Sequence, residues 1–126
     1  MDRDELRERT KRFALRIIKL AAALPRNREG DVLGRQILKS GTSVGANYCE
    51  ALRASSRKQF VSMTEIALRE ADETLYWLDL LAESEMMSAV RLADLRDECN
   101  QLIAILAATV KTSKENASAS GPLAPR

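Results

Sequence analysis

The chain has 126 residues, of which 45% are hydrophobic and 30% charged, and its net charge is +2. This composition fits one folded domain with a real core and excludes a disordered chain. No run approaches 18 uninterrupted apolar residues, and the mixed-charge start Met1-Asp-Arg-Asp-Glu has no apolar signal core, so a cytoplasmic protein with no membrane partner is expected.

Ala, Leu, Glu, Arg and Ile dominate, with 5 Gly, 3 Pro and 4% aromatic residues, a balance that favours helix. In the first predicted helix, Asp4 to Leu24, Leu6, Phe13, Ile17, Leu20 and Leu24 form one apolar face. Pro25 stops it, and the loop Pro25–Gly30 follows. The second helix is expected from Val32 to Leu52, with Leu33, Ile37, Val44, Tyr48 and Ala51 inward. Gly34, Gly41 and Gly45 lie on an adjoining strip of that helix. Each glycine costs about 1 kcal/mol relative to alanine inside a helix. Close packing of another helix against the bare backbone would offset this, either within the protomer or between copies; the alternative is a local break near Ser40–Ser43.

Ser56 and Gln59 match a capping box that opens a third helix, Arg57 to Glu83. Its main stripe is Phe60, Met63, Ala67, Ala71, Thr74, Leu78 and Leu81, flanked by Ile66 and Trp77 on one side and Leu68 and Leu75 on the other. That arc is too wide for a single contact, so burial against more than one neighbour is expected. Ser88 caps a fourth helix, Ala89 to Lys111, with Leu92, Leu95, Cys99, Leu102, Ile103, Leu106 and Val110 inward. Residues 112–126 carry no apolar period and read as a disordered tail after a bundle domain spanning 1–111. Four helices with short loops predict an all-α, antiparallel up-down-up-down four-helix bundle. Cys49 and Cys99 both fall within apolar helical patterns and read as reduced core thiols.

The sequence offers little catalytic chemistry. It contains no histidine, which removes the most common general base and the Glu-x-x-His ligand of bundle metal sites. Glu70 with Glu73, and Asp94, Asp97 and Glu98, fall off the apolar stripes and read as solvated carboxylates. Gly41-x-x-x-Gly45 lacks the Lys-Ser/Thr of a phosphate loop. No enzyme, cofactor or metal is expected.

Charge is the better lead. Residues 1–58 carry 14 Lys+Arg against 7 Asp+Glu, a net +7; residues 59–126 carry 6 against 11, a net −5. Arg9, Arg12, Arg16 and Lys19 share a face of the first helix. Glu5 and Glu8 stand four residues before Arg9 and Arg12, the favourable order for surface pairs, whereas Arg16 and Lys19 lack such a partner. Arg53, Arg57 and Lys58 surround the turn between helices two and three. Arg16, Lys19, Arg53, Arg57 and Lys58 are therefore candidate phosphate contacts. The competing reading pairs them with the acidic stripe Glu65, Asp72, Asp79 and Glu83, on this chain or a neighbour.

The stretch Lys39-Ser-Gly-Thr-Ser-Val-Gly-Ala-Asn-Tyr-Cys-Glu50, then Arg53, Ser56, Phe60 and Ala67-Leu-x-Glu-Ala-x-Glu-Thr-Leu-Tyr-Trp-Leu78, resembles the four helix bundle protein family. Its members were first noticed as reading frames within intervening sequences of bacterial 23S ribosomal RNA genes. The resemblance spans Phe13 to Val110 and places Ser43, Gly45, Asn47, Glu50 and Phe60 at family-motif positions, structural ones. Cys49 departs from the polar or small residue common there. The resemblance implies a homopentameric barrel of bundles, with no catalytic activity and for most members no settled function; an adaptor or scaffold role is expected for this chain. A distant branch, similar in fold and strongly basic, serves as the accessory protein of diversity-generating retroelements. It works with a reverse transcriptase and RNA, which makes nucleic acid the alternative partner.

Overall fold

Hydroxyl, carboxylate and amide caps set the helix starts in the computed structural model, which describes residues 1–120, with side chains placed through Asn116. Helix α1 (Arg3–Ala22) begins at Asp2, whose carboxylate accepts from the Glu5 amide at 2.8 Å. Helix α2 (Arg28–Ala51) begins four residues earlier than the apolar pattern suggests, because Asn27 Oδ1 accepts from the Gly30 amide at 2.7 Å. Gly30 is required there: a Cβ would overlap the Pro25 carbonyl. Helix α3 (Arg57–Glu83) has Ser56 as its cap, with the Gln59 amide donating to Ser56 Oγ at 3.1 Å. The reciprocal bond of the capping box shifts by one residue, as the Ser55 amide donates to Gln59 Oε1 at 2.8 Å. Helix α4 (Ala89–Ser120) starts after Ser88, which accepts from the Arg91 amide. Glu85, at φ 61°, turns the chain between α3 and α4.

The described residues are all-α, and the four helices pack as a bundle. Each helix packs on the next in sequence, most extensively α2 on α3, and α1 meets α4 least. Phe13, Ile17, Ile37, Val44, Tyr48, Leu78, Leu81, Leu92, Leu102 and Leu106 are fully buried and form the centre of the core. Of the expected inward positions, Leu33, Met63 and Ile103 are half-buried at its margin, while Thr10 and Thr64 lie inside it. The buried hydroxyls are satisfied: Thr10 donates to the Arg7 carbonyl, Thr64 to that of Phe60, and Thr74 hydrogen-bonds to Ser40 Oγ at 2.9 Å across α2 and α3.

Helix α2 is continuous through Ser40–Ser43; Gly41 and Gly45 face α1, and Gly34 faces Leu24 just beyond its end. A Cβ on Gly41 would stand 2.8 Å from both γ carbons of Ile17; one on Gly45 would stand 3.2 Å from Thr10 Oγ1. The strip is thus an intraprotomer seam where one helix presses on the bare backbone of another.

Where α1 meets α4, a polar clasp holds them. Arg9 Nε and Nη2 donate to the two oxygens of Glu98 at 2.7 Å each, and Nη2 also reaches Gln101 Oε1 at 2.7 Å. The expected Glu5–Arg9 and Glu8–Arg12 surface pairs do not form. Arg9 turns instead to a bidentate partner with 18% and 17% of the two side chains exposed, a stronger arrangement than two solvated ends. Glu98 raises the guanidinium pKa of Arg9 above its ordinary value.

Two expectations are corrected. Helix α4 runs past Lys111 to Ser120, so the bundle does not end at 111. No Gly or Pro falls between Lys111 and Ser120, Ser113 is buried, and Lys114 reaches Glu65 of α3 at 3.0 Å. The rest of the expected tail, residues 121–126, lies outside the described residues. Cys99 is buried as expected, its thiol donating to the Ala71 carbonyl at 3.3 Å, but Cys49 is exposed. It sits next to Tyr48, which takes the inward position, so the helical period turns Cys49 out.

Four predictions follow from this packing. Gly41→Ala lowers stability by about 1–3 kcal/mol, because β-branched Ile17 has no rotamer that vacates both contacts. Gly34→Ala, whose Cβ meets Leu24 at 3.5 Å, gains up to about 1 kcal/mol from helix propensity; urea unfolding of the pair checks the opposite signs. Glu98→Gln costs about 1–3 kcal/mol, whereas Asp79→Asn, in an Arg96 pair with both side chains 35% exposed, costs under about 1 kcal/mol. Burial pushes the Cys99 thiol up to about 12 from 9.0. The unfolded chain therefore binds fewer protons between those values, and stability falls as pH rises through that window, a slope that Cys99→Ala flattens. An Ellman titration of the native chain finds one reactive thiol, Cys49, and the second after denaturation.

Candidate nucleic-acid interface

The structure divides the five candidate phosphate contacts between two ends of the bundle. Arg16 and Lys19 project from the last two turns of α1, next to the α3–α4 turn, where they share a groove with Met87. Arg53, Arg57 and Lys58 stand at the α2–α3 turn. That end also holds the start of α1, since the Arg3 guanidinium lies 5.0 Å above the Phe60 ring. From Arg3 to Arg16 the axial rise is roughly 20 Å. The five residues are two separate clusters rather than one continuous stripe.

Arg16, Lys19, Arg53 and Lys58 are exposed and make no ion pair among the described residues. Arg57 is half-buried, and its Nε and Nη1 have no hydrogen-bond partner among the described residues. Of the acidic stripe, Glu65 pairs with Lys114 and Asp79 with Arg96, both from α4. Asp72 and Glu83 stay exposed. The acidic half of the chain therefore draws its partners largely from itself, and among the described residues the one ion pair that joins the two halves is Arg9–Glu98.

Sequence reasoning missed Arg91. It sits in the first turn of α4, and the α3–α4 turn carries it into the groove with Arg16 and Lys19. The available signal was a first turn of α4 without an acid, where the helix dipole favours one.

The family-motif residues differ in their contacts. Ser43 Oγ donates to the Lys39 carbonyl at 2.6 Å, and Asn47 Nδ2 to the Ser43 carbonyl at 2.8 Å. Gly45 admits Thr10, and Phe60 is buried. Glu50 is exposed on α2 and makes no ion pair among the described residues. Beside them Glu70 has its carboxyl pKa raised, first by burial and then by Glu73. Among the described residues, no group of three or more His, Cys, Asp or Glu side chains converges to hold a metal ion. None of the helices is long and apolar enough to cross a membrane.

No curated protein matches the chain. Among solved structures it is similar to a protein of unknown function from the S23 ribosomal protein family of Bacteroides thetaiotaomicron. The two are 36% identical, with a TM-score of 0.80, over 84% of this chain and 98% of that one. The family model for the 23S rRNA-intervening sequence protein matches residues 4–108, which include the glycine seam, the Ser56–Gln59 capping box and the Arg9–Glu98 clasp. The chain belongs to the 23S rRNA-intervening sequence protein family.

Proposed function

We propose that the protein is a non-enzymatic cytoplasmic scaffold that works as a homopentamer, a closed ring of antiparallel up-down-up-down bundles. The order of contacts in the seam supports the antiparallel arrangement: Leu24, Ile17 and Thr10 fall against Gly34, Gly41 and Gly45. The observation that carries the ring is apolar surface left on two different faces. On the α1–α2 face, Leu15, Ile18 and Leu38 are 51%, 46% and 38% exposed, and Ile18 and Leu38 line one groove. On α3, Tyr76 is 56% exposed beside half-buried Ile66, Trp77 and Leu80, and the Trp77 indole nitrogen has no hydrogen-bond partner. Two unlike apolar faces suit the head-to-tail contact that closes a ring; a twofold dimer would use one face twice.

A second reading is a nucleic-acid accessory protein that uses Arg16, Lys19, Arg53, Arg57 and Lys58. Its support is that four of these are exposed without an ion pair. It entails a gel shift with single-stranded RNA that fades steeply with salt, and no shift at micromolar protein in low salt removes it.

Native mass spectrometry tests the ring. Five-subunit species are expected, and a monomer at high protein concentration sinks the proposal. Ile18→Glu and Tyr76→Glu each spoil one of the two faces, so each variant alone is monomeric. Mixed, they pair through their intact faces into a heterodimer that cannot grow. Variants that still form the full ring would show that these faces are not the contact.

A further inference from the structure

We propose that the groove between the end of α1 and the start of α4 is a binding site for an oligophosphate chain, held by Arg16, Lys19 and Arg91. The groove has a volume of about 260 Å³, and Leu20, Met87 and Leu95 form its apolar wall. No acidic residue lines it. Three cations converging on one groove repel each other, and a fold that needed only solubility would spread them. The contrast with Arg9 is informative. Two turns earlier on the same helix, Arg9 is supplied with Glu98 and Gln101 from α4. Arg16 and Lys19 meet another cation from α4 instead, and none of the three has an ion pair among the described residues. Asp94, one turn beyond Arg91, is exposed and pairs with none of them.

Arg91 is also placed against its own helix dipole. The positive end of α4 faces the same direction as its charge, which disfavours the free protein and favours any anion that arrives. The Arg91 amide is committed to Ser88 Oγ at 3.2 Å, so recognition falls on the side chains. Two guanidinium forks suit phosphate oxygens bidentately, and the Lys19 ammonium adds a mobile point charge. The neighbouring leucines and methionine lower the local dielectric and strengthen the attraction relative to open solvent. Spacing over two helices favours several linked phosphates over one. This geometry stands whether or not the chain meets nucleic acid at its other end.

Calorimetric titration of the full chain with inorganic tripolyphosphate at low salt tests the site. One binding event per chain is expected. Arg91→Ala weakens it by about tenfold or more, Arg91→Lys, which keeps the charge but loses the fork, weakens it less than Arg91→Ala, and Arg69→Ala, the same charge change at an exposed position of α3 outside the groove, leaves it within about twofold. Circular dichroism confirms that these exposed-site variants are folded. Absence of binding heat at millimolar tripolyphosphate overturns the proposal, as does equal weakening by Arg69→Ala, which marks diffuse attraction. A competition arm assigns the source of the phosphates. Displacement of tripolyphosphate by single-stranded RNA, sensitive to Arg91→Ala, supports the site with a nucleic-acid backbone as its occupant. Undisturbed tripolyphosphate binding supports it with a free oligophosphate.

Discussion

The close approach of α1 to the bare backbone of α2 is the constraint on which the rest of the molecule depends. Ile17 and Thr10 occupy the space that side chains at 41 and 45 would fill. Gly34, Gly41 and Gly45 weaken α2 in isolation, each by about 1 kcal/mol, so this helix depends on the packing of α1 and α3 against it. The seam draws α1 inward along one side and fixes which residues of α1 meet the core. With Phe13, Ile17 and Leu20 buried, Leu15 and Ile18 are turned outward by the helical period, and so are Arg16 and Lys19. Packing inside the protomer thereby decides what surface is offered outside it.

Polar interactions place the helices whose apolar contact is thin. Helices α1 and α4 touch least, and there Arg9 makes a bidentate bond to Glu98. Inside the α2–α3 interface, the Thr74–Ser40 hydrogen bond fixes a register that Ala67, Ala71 and Leu78 alone would define loosely.

The regular parts of this fold were legible because they obey local rules. The start and end of α3, the Ser88 cap and most inward positions follow from period and capping chemistry. The errors have equally local causes. The start of α2 was read late because a polar first turn hides the Asn27 cap, and the last turns of α4 were read as tail because small polar residues carry no period. Cys49 was placed inside because its neighbours are apolar, yet Tyr48 occupies the inward position one residue before it.

The candidate site divides along the same line. Sequence spacing alone determined that Arg16 and Lys19 lack a local acid, that three glycines share a strip of α2, and that the charge of the two halves differs. It could not determine what faces them, since a partner from another helix is set by tertiary approach and not by distance along the chain. Only the folded bundle assigned the glycine strip to α1, gave Arg9 to Glu98, and carried Arg91 across to Arg16 and Lys19. Helical periodicity fixes the direction of each side chain on its own helix, while the meeting of two helices depends on how all four pack at once.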